Sequence, residues 1–239
     1  MLTLALETSY RTTGVALADQ GRILSRQAWP RQQSSSEVIT SLLEKCLQEA
    51  GTSLEQLKFI AVTTGPGSFT GIRVGINVAR SLGYALDCPL VAVTTPWLLA
   101  QDVPPSGQRL GVLLEAFQNL FYYASFSWQE GQWQAHDNIR AVRGEQLALL
   151  LRAHPLVVGP GLANLPMEVC QQLHESTTTR TLDQIREPRP ERLAELVSQD
   201  AKKFSILSWR DLKPLYIRDS EAEEKLRSGI LKPTRIFAP

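Results

Sequence analysis

The stretch that decides the fold is Phe59-Ile60-Ala61-Val62-Thr63-Thr64-Gly65-Pro66-Gly67-Ser68-Phe69-Thr70-Gly71. Its first five residues form a continuous apolar run with β-branched members, which predicts a buried strand. A glycine-rich turn follows, and residues 72–87 then show the apolar periodicity of a helix. Leu90–Val93 has the composition of a second buried strand. A strand–helix–strand unit of this kind predicts a parallel pair of strands with a helix packed on the sheet.

The residues before this unit predict a three-stranded hairpin and a further helix. The strands are expected at Leu2–Glu7, Gly14–Ala18 and Ile23–Trp29, with a turn at Asp19–Gly21. Ser34 and Glu37 have the spacing of a capping box, and apolar residues recur at helical period from Val38 to Leu47. After Val93, we expect Thr95-Pro96 to open another helix, with Thr95 as its cap.

The second half of the chain repeats this order. Strands are expected at residues 110–115, 121–126, 133–142 and 156–158, with a helix at 145–152 and a helical stretch through 173. Leu114-Glu115 repeats Leu6-Glu7 at a strand end, and Gly159-Pro160-Gly161 repeats the Gly-Pro-Gly turn after a later strand. A period of about 100 residues indicates a duplicated domain. The sequence therefore predicts an α/β fold of two lobes, each a mixed sheet flanked by helices.

We place the lobe boundaries from these elements. The first lobe spans 1–104, the second 105–218, and a charged, proline-flanked tail 219–239. Residues 174–192 are poor in apolar side chains and are expected to form a loop. A final helix is expected from Pro190 to Phe204.

Composition excludes several classes of protein. The 239 residues include 25 Lys and Arg and 24 Asp and Glu, which gives a net charge of +1. A protein that binds nucleic acid on its own usually has a large excess of positive charge, so this class is disfavoured. Three widely spaced cysteines favour reduced thiols over a disulfide framework. We find neither an apolar run long enough to cross a bilayer nor a signal peptide, so a cytoplasmic location is expected and no membrane partner.

The Gly65–Gly71 loop is the strongest candidate site. Backbone amides at a helix N-terminus can bind an anion, but the loop lacks the lysine of a Walker A motif and the flanking glycines of a nucleophile elbow. A phosphate site and a tight packing turn both remain open from spacing alone. We expect no metal site, because His136, His154 and His174 form no His-x-x-x-His pair and Cys170 with His174 supplies only two ligands.

Small residues recur every four positions in the helix after the loop, at Gly71, Gly75, Ala79 and Gly83. Mid-helix glycine costs about 1 kcal/mol relative to alanine, so a close approach by another element is indicated. From the sequence alone, packing against the chain's own sheet is favoured over packing against a partner.

Several of these segments resemble the bacterial TsaB (YeaZ) family. The resemblance is strong over about residues 1–100, in Leu6-Glu7-Thr8-Ser9, residues 34–51, Pro89–Val93 and above all the string Gly-Pro-Gly-Ser-Phe-Thr-Gly-x-Arg-x-Gly of residues 65–75. Beyond residue 100 it is weaker, although Tyr122, Val158-Gly159 and Pro214–Arg218 fall in the expected order. It implies an actin/Hsp70/sugar-kinase-like (ribonuclease-H-like) fold of duplicated lobes.

The resemblance also implies a function. TsaB-type proteins are non-catalytic subunits in the synthesis of threonylcarbamoyladenosine in tRNA. They bind the paralogous transferase TsaD, act with the ATPase TsaE, form homodimers when alone, and meet tRNA through the complex. TsaD holds its metal through a His-x-x-x-His motif that this chain lacks at Ser34–Glu37, so neither a metal nor a catalytic residue is implied here.

Site residues follow from the same resemblance. Because TsaB-type proteins associate through first-lobe helices, the small-residue stripe is now expected in a partner interface. The interface set is Val38, Leu42, Cys46, Gly71, Arg73, Gly75, Ile76, Ala79, Leu82 and Gly83. Weak ATP or ADP binding, by the chain alone or at the complex interface, is expected at Thr8, Ser9, Gly65, Gly67 and Ser68.

Two departures from the family pattern bear on catalysis. The family usually has Asp at the position of Glu7 and Asp-Ala-Arg at that of Glu115-Ala116-Phe117. The extra methylene moves a carboxylate by about 1.5 Å, and loss of the arginine removes a phosphate donor, which argues against nucleotide hydrolysis. The alternative function is an enzyme acting alone, either a weak ATPase or a glycoprotease-like protein.

Overall fold

The computed structural model describes residues 1–30, 35–105, 109–116, 119–152, 156–174, 180–182 and 187–217; for residues 174 and 180–182 it describes the backbone alone. Ser34, Phe117, residues 175–179 and 183–186 of the predicted loop, and the predicted tail 219–239 lie outside these ranges. The described chain forms two sheets joined by a short helix.

The first sheet has the strand order β12-β5-β4-β1-β2-β3. Its strands are β1 Thr3–Glu7, β2 Thr12–Asp19, β3 Arg22–Pro30, β4 Phe59–Thr63, β5 Leu90–Val93 and β12 Ile206–Leu207. β4 runs parallel to β1 and to β5, as the strand–helix–strand unit predicts, whereas β2, β3 and β12 are antiparallel to their neighbours.

The two faces of this sheet carry side chains of different size. Leu4 and Leu6 of β1 face the helices α1 (Ser35–Ala50) and α2 (Phe69–Leu86), with which they form one core cluster. The intervening Ala5 faces α6 (Pro190–Gln199), in a second cluster rich in alanine. Side chains alternate between the faces of a strand, so the small residues bring α6 close to the backbone of the sheet.

The second sheet has the order β11-β10-β6-β7-β8, with β9 also paired to β7. Its strands are β6 Leu110–Glu115, β7 Leu120–Gln129, β8 Gln132–Ala135, β9 Arg140–Arg143, β10 Leu156–Val158 and β11 Arg180–Leu182. Its helices are α4 Gly144–Arg152 and α5 Met167–His174. β10 lies parallel to β6, as β4 lies parallel to β1, so the duplication and the predicted α/β fold class are confirmed.

Helix α3 (Thr95–Ala100) joins the lobes. Leu98 packs in the alanine-rich cluster of the first sheet, whereas Leu99 and Ala100 pack in the core of the second. The cap of α3 is Thr94, whose side chain accepts a hydrogen bond from Trp97 N, rather than the predicted Thr95. Thr95 is inside the helix and fully buried.

The predicted boundary of the second lobe is wrong for the last part of the described chain. Helix α6 packs on β1, β2, β3 and β4, and β12 pairs with β5, so both belong to the first lobe. α6 ends at Gln199, and a separate 3-10 turn, Ala201–Lys203, follows it. These contacts join residues more than 100 positions apart, which local sequence patterns do not encode.

Two further predictions are corrected in the second half. The single strand expected at 133–142 is two strands, because β8 pairs with the end of β7 and β9 with its beginning. The expected loop 174–192 contains β11, which pairs with β10. Among the described helices, none combines the length and apolar character needed to span a bilayer.

Candidate functional site

A buried polar cluster lies where β1 and β4 end. The strands are parallel and Leu6 pairs with Val62, so Glu7 and Thr63 follow at the same edge of the sheet. Thr8 and Ser9 leave β1 at this edge, and Thr95 faces them from the start of α3. We call these five residues the Glu7 cluster; four are fully buried and Glu7 is 1% exposed.

A chain of hydrogen bonds runs through the cluster. Thr95 Oγ1 donates to Ser9 Oγ over 2.9 Å, and Ser9 Oγ donates to Glu7 Oε1 over 2.5 Å. The backbone N–H of Ser9 donates to the same carboxylate oxygen over 2.6 Å. Burial raises the pKa of Glu7 to about 7, against the opposing effect of the hydrogen bonds from Ser9. This carboxyl can therefore change its protonation state near neutral pH.

Three polar atoms of the cluster have no close hydrogen-bond partner in standard geometry: Glu7 Oε2, Thr8 Oγ1 and Thr63 Oγ1. A buried polar atom without a partner is costly, and such atoms concentrate where a fold serves a function or stores strain. The described ranges bring together no group of three or more His, Cys, Asp or Glu side chains suited to a metal ion.

The Gly65–Gly71 loop packs directly on the residues that follow β1. A Cβ built on Gly67 would lie 2.1 Å from the carbonyl oxygen of Ser9, and one on Gly71 would lie 2.0 Å from that of Thr8. The N–H of Ser68 donates to Ser9 O over 2.8 Å, and Ser68 Oγ caps α2 by accepting from Gly71 N over 3.1 Å.

The loop therefore brings together all five predicted nucleotide-binding residues, Thr8, Ser9, Gly65, Gly67 and Ser68, but fills the space between them with protein. Gly65 has φ +104°, and its peptide bond to Pro66 is cis. Of the two alternatives left open by the sequence, this packing supports the tight packing turn. Weak ATP or ADP binding at these residues, by the chain alone or at the complex interface, stays a prediction.

The small-residue stripe of α2 faces the chain's own sheet. A Cβ on Gly75 would lie 2.3 Å from Thr8 Oγ1, and one on Gly83 would lie 2.9 Å from Leu90 Cδ2. Ala79 is fully buried in the core cluster of this face. The expectation that the stripe lies in a partner interface is therefore wrong.

The same correction applies to most of the predicted interface. Eight of its ten residues are buried within the chain: Val38, Leu42, Cys46, Gly71, Gly75, Ile76, Ala79 and Gly83. Cys46 lies under β3 with its Sγ 2.9 Å from Ser25 Oγ. Leu82 is half-buried, and Arg73 alone of the set is exposed.

The outward face of α2 carries a different set of side chains. Arg73, Asn77, Arg80 and Tyr84 recur at helical spacing opposite the stripe, and Tyr84 is 68% exposed. Trp209 and Tyr216, which come after α6, lie against the two ends of this face. We call these six residues the α2 surface.

The second lobe repeats the strand ends of the first, with a more open environment. Glu115 ends β6 as Glu7 ends β1, and it is half-buried. Its Oε2 accepts a hydrogen bond from Asn164 Nδ2 over 2.6 Å and lies 3.6 Å from Arg11 Nη2. The two carboxylates that depart from the family pattern therefore sit in unlike surroundings.

Comparison with known proteins identifies the family. The family model TsaD, tRNA N6-adenosine threonylcarbamoyltransferase, matches residues 29–226. The chain belongs to this family. The chain is 25% identical over 233 residues to the tRNA threonylcarbamoyladenosine biosynthesis protein TsaB of Escherichia coli, and the match covers 95% of this chain and 98% of that protein.

Other relatives differ in coverage. The tRNA N6-adenosine threonylcarbamoyltransferase of Trichlorobacter lovleyi is 34% identical over 109 residues, which are 39% of this chain and 32% of that enzyme. The solved structure of YeaZ from Pseudomonas aeruginosa has a TM-score of 0.74 at 25% identity, and the match covers 90% of this chain and 99% of that one. The TsaB (YeaZ) resemblance and the predicted role in tRNA threonylcarbamoyladenosine biosynthesis are confirmed.

Some site residues were missed by the sequence analysis. Asn77, Arg80 and Tyr84 could have been found, because they occupy the helical face opposite the glycines. Thr63 and Thr95 lie beside Glu7 only in the folded chain, where β1 and β4 are paired, so the sequence alone does not predict their place in the cluster. Trp209 meets Tyr84 across 125 positions of the chain, and no local pattern indicates that contact.

Proposed function

We propose that this chain is a non-catalytic subunit that binds and activates a TsaD-type transferase in the synthesis of threonylcarbamoyladenosine in tRNA. The observation that carries the proposal is the difference between the lengths over which the chain aligns with two kinds of relative. The chain aligns over almost the whole length of Escherichia coli TsaB but over only a third of the transferase of Trichlorobacter lovleyi.

The side chains of this chain support a role without chemistry of its own. It has three histidines, none of them in a His-x-x-x-His pair. The glycine-rich loop is packed on Thr8 and Ser9, and the Glu7 carboxyl above it is enclosed. The alternative is an enzyme acting alone, as an ATPase or glycoprotease-like protein; the hydroxyl groups of the Glu7 cluster, including that of Ser9 on the Glu7 carboxylate, are fully buried and out of reach of a substrate.

The α2 surface is the part of the first lobe that we propose for partner binding. Because the small-residue stripe packs α2 against the sheet, the opposite face of the helix points to solvent. Exposed aromatic side chains beside arginine are the residue types enriched at protein interfaces. We further propose that the chain forms homodimers when alone, acts with a TsaE-type ATPase, and meets tRNA through the complex.

The test is a reconstituted modification assay. Transferase and ATPase subunits encoded in the same genome are combined with tRNA and threonylcarbamoyl-adenylate, with and without this chain, and the modified adenosine is followed. We expect modification to require the chain, whereas the chain alone turns over neither nucleotide nor adenylate. Equal modification without the chain would overturn the proposal.

A matched pair of variants links the assay to the surface. Tyr84 on α2 and Leu149 on α4 are both exposed large side chains, at 68% and 81%. We expect Tyr84→Ala to lower modification at limiting concentrations of the chain, and excess chain to restore it. Leu149→Ala, in the other lobe, is expected to behave as the unchanged chain.

A further inference from the structure

A groove opens along the second half of α2. It has a volume of about 380 Å³ and is lined by Asn77, Arg80, Ser81, Tyr84 and Trp209. Tyr84 and Trp209 form its aromatic wall, with ring centroids 5.0 Å apart in an edge-to-face arrangement. The groove is therefore bounded by one helix and one residue of a distant segment.

The segment from Trp209 to Tyr216 is fixed along α2. Leu212 is fully buried in the core of the first lobe, and the N–H of Leu215 donates to Thr64 O over 2.9 Å. Tyr216 stacks on Phe69 with centroids 5.1 Å apart and accepts a hydrogen bond from Arg73 Nε over 2.8 Å. The segment runs from the C-terminal end of α2 to its N-terminal end, so the groove is a preformed feature.

Three arginines surround the aromatic groups of this surface. The guanidinium carbon of Arg73 lies 3.8 Å from the ring centroid of Phe69, and that of Arg210 lies 4.5 Å from the ring of Trp209. Arg80 lines the groove itself. Stacking on a ring face leaves the edge N–H groups of a guanidinium available for carboxylate oxygens.

None of these three arginines has an ion-pair partner among the residues that the structure describes, a property that they share with exposed arginines elsewhere, such as Arg143. Arg26, Arg189 and Arg192 each lie within 4.0 Å of a carboxylate, whereas Arg73, Arg80 and Arg210 form no such ion pair with any described residue. The carboxylate of Asp211 accepts a hydrogen bond from Ser208 over 2.7 Å. The surface therefore carries positive charge that its own described residues do not pair.

We propose that this groove receives an apolar side chain flanked by carboxylates, from an acidic segment of the TsaD-type partner. The inference rests on the proposed function and names the chemistry of the partner at that site. The aromatic walls would cover the apolar side chain, and Arg80 and Arg210 at the rim would each meet a carboxylate. A protein segment fits better than tRNA, because three arginines on a chain of net charge +1 neutralise few phosphates.

The experiment measures binding of the full-length chain to the transferase by titration calorimetry at several salt concentrations. We expect the double variant Arg80→Glu with Arg210→Glu to weaken binding by about tenfold or more and to flatten its salt dependence. Trp209→Ala should weaken binding while the salt dependence is retained. Arg143→Glu, at an exposed arginine of the second lobe, is the control for overall charge.

The outcomes separate this inference from the proposed function. If the unchanged chain binds no transferase, the proposed function fails and the inference falls with it. If the double variant binds the transferase as tightly as the unchanged chain, the proposed function stands, but the inference that an acidic segment of the transferase binds in the groove is wrong. The inference would also be overturned if the double variant lost tRNA binding or self-association while its binding to the transferase was intact. Circular dichroism confirms that each variant is folded.

Discussion

Gly71 and Thr8 are in backbone contact: a Cβ on Gly71 would lie 2.0 Å from the carbonyl oxygen of Thr8. The first turn of α2 therefore rests on the end of β1. Gly75 repeats the approach one turn later, against Thr8 Oγ1. The stripe of small residues is the means by which α2 closes over the Glu7 cluster, and it has no room for a partner helix.

Replacing Gly71 with alanine should destabilise the free chain. The added methyl group meets backbone rather than a flexible side chain, so helix or strand must shift, and we expect unfolding to become easier by about 2 kcal/mol or more. Urea denaturation of the variant and of the unchanged chain, at one fixed concentration, measures this. Asn77→Ala, on the exposed face of the same helix, should change stability by less than about 0.5 kcal/mol. Equal stability of both variants would show that the fold accommodates the added methyl group beside the Thr8 backbone without loss of stability.

The sequence predicts the elements of this fold better than their assembly. The bounds of β4, β5, β6 and β10 are local properties, because each strand is an apolar run closed by a turn. The position of β12 beside β5 depends on a pairing across more than 100 residues. The spacing of the glycines predicts packing against the chain's own sheet, which the structure confirms, whereas the resemblance predicts a partner interface at residues that the fold buries.

Asp102 links the junction after α3 to the start of α6, and removing its charge should loosen the lobes. Its side chain is 7% exposed and pairs with Arg189 over 2.5 and 2.8 Å. The hydrogen bonds to Asp102 raise the pKa of Arg189. We expect Asp102→Asn to lower the free energy of unfolding by about 1 kcal/mol, because the hydrogen bonds from Arg189, which is 52% exposed, are then made to a neutral amide in place of a carboxylate.

A matched control for Asp102 is the exposed pair of Arg26 and Glu191. Arg26 is 68% exposed, and solvent screens its interaction with the carboxylate 2.9 Å away. Arg26→Ala should therefore shift the midpoint of thermal unfolding by little. If both variants shift the midpoint equally, burial of Asp102 contributes nothing to the linkage.

Ser68 has a structural role at the start of α2, which a cap variant can test. Its hydroxyl accepts from Gly71 N, so Ser68→Ala should lower the free energy of unfolding by about 1 kcal/mol, while Ser68→Asn, which can also cap a helix, should lose less. At saturating concentrations of either variant, the rate of tRNA modification should remain near that of the unchanged chain. A large loss of modification with stability unchanged would indicate chemistry at this hydroxyl.

Glu7 should make the stability of the chain depend on pH in a direction opposite to that of a salt-bridged carboxylate. Burial raises its pKa from 4.5 to about 7, so the folded state holds a proton that the unfolded chain releases above about pH 4.5. Stability from this group is complete below that pH and falls as the pH rises through about 7.

Glu7→Gln removes the charge while keeping an oxygen that can accept from Ser9. Above about pH 7 the ionised carboxylate costs on the order of 3 kcal/mol in the unchanged chain, so the variant should be the more stable protein there and nearly equal to it below about pH 4.5. Urea unfolding across this range gives the difference at each pH. Glu55→Gln, a fully exposed site, controls for the removal of a carboxylate elsewhere. A difference between the Glu7 variant and the unchanged chain that stays constant with pH would contradict the prediction, because it would show that Glu7 has the same pKa in the folded and the unfolded chain.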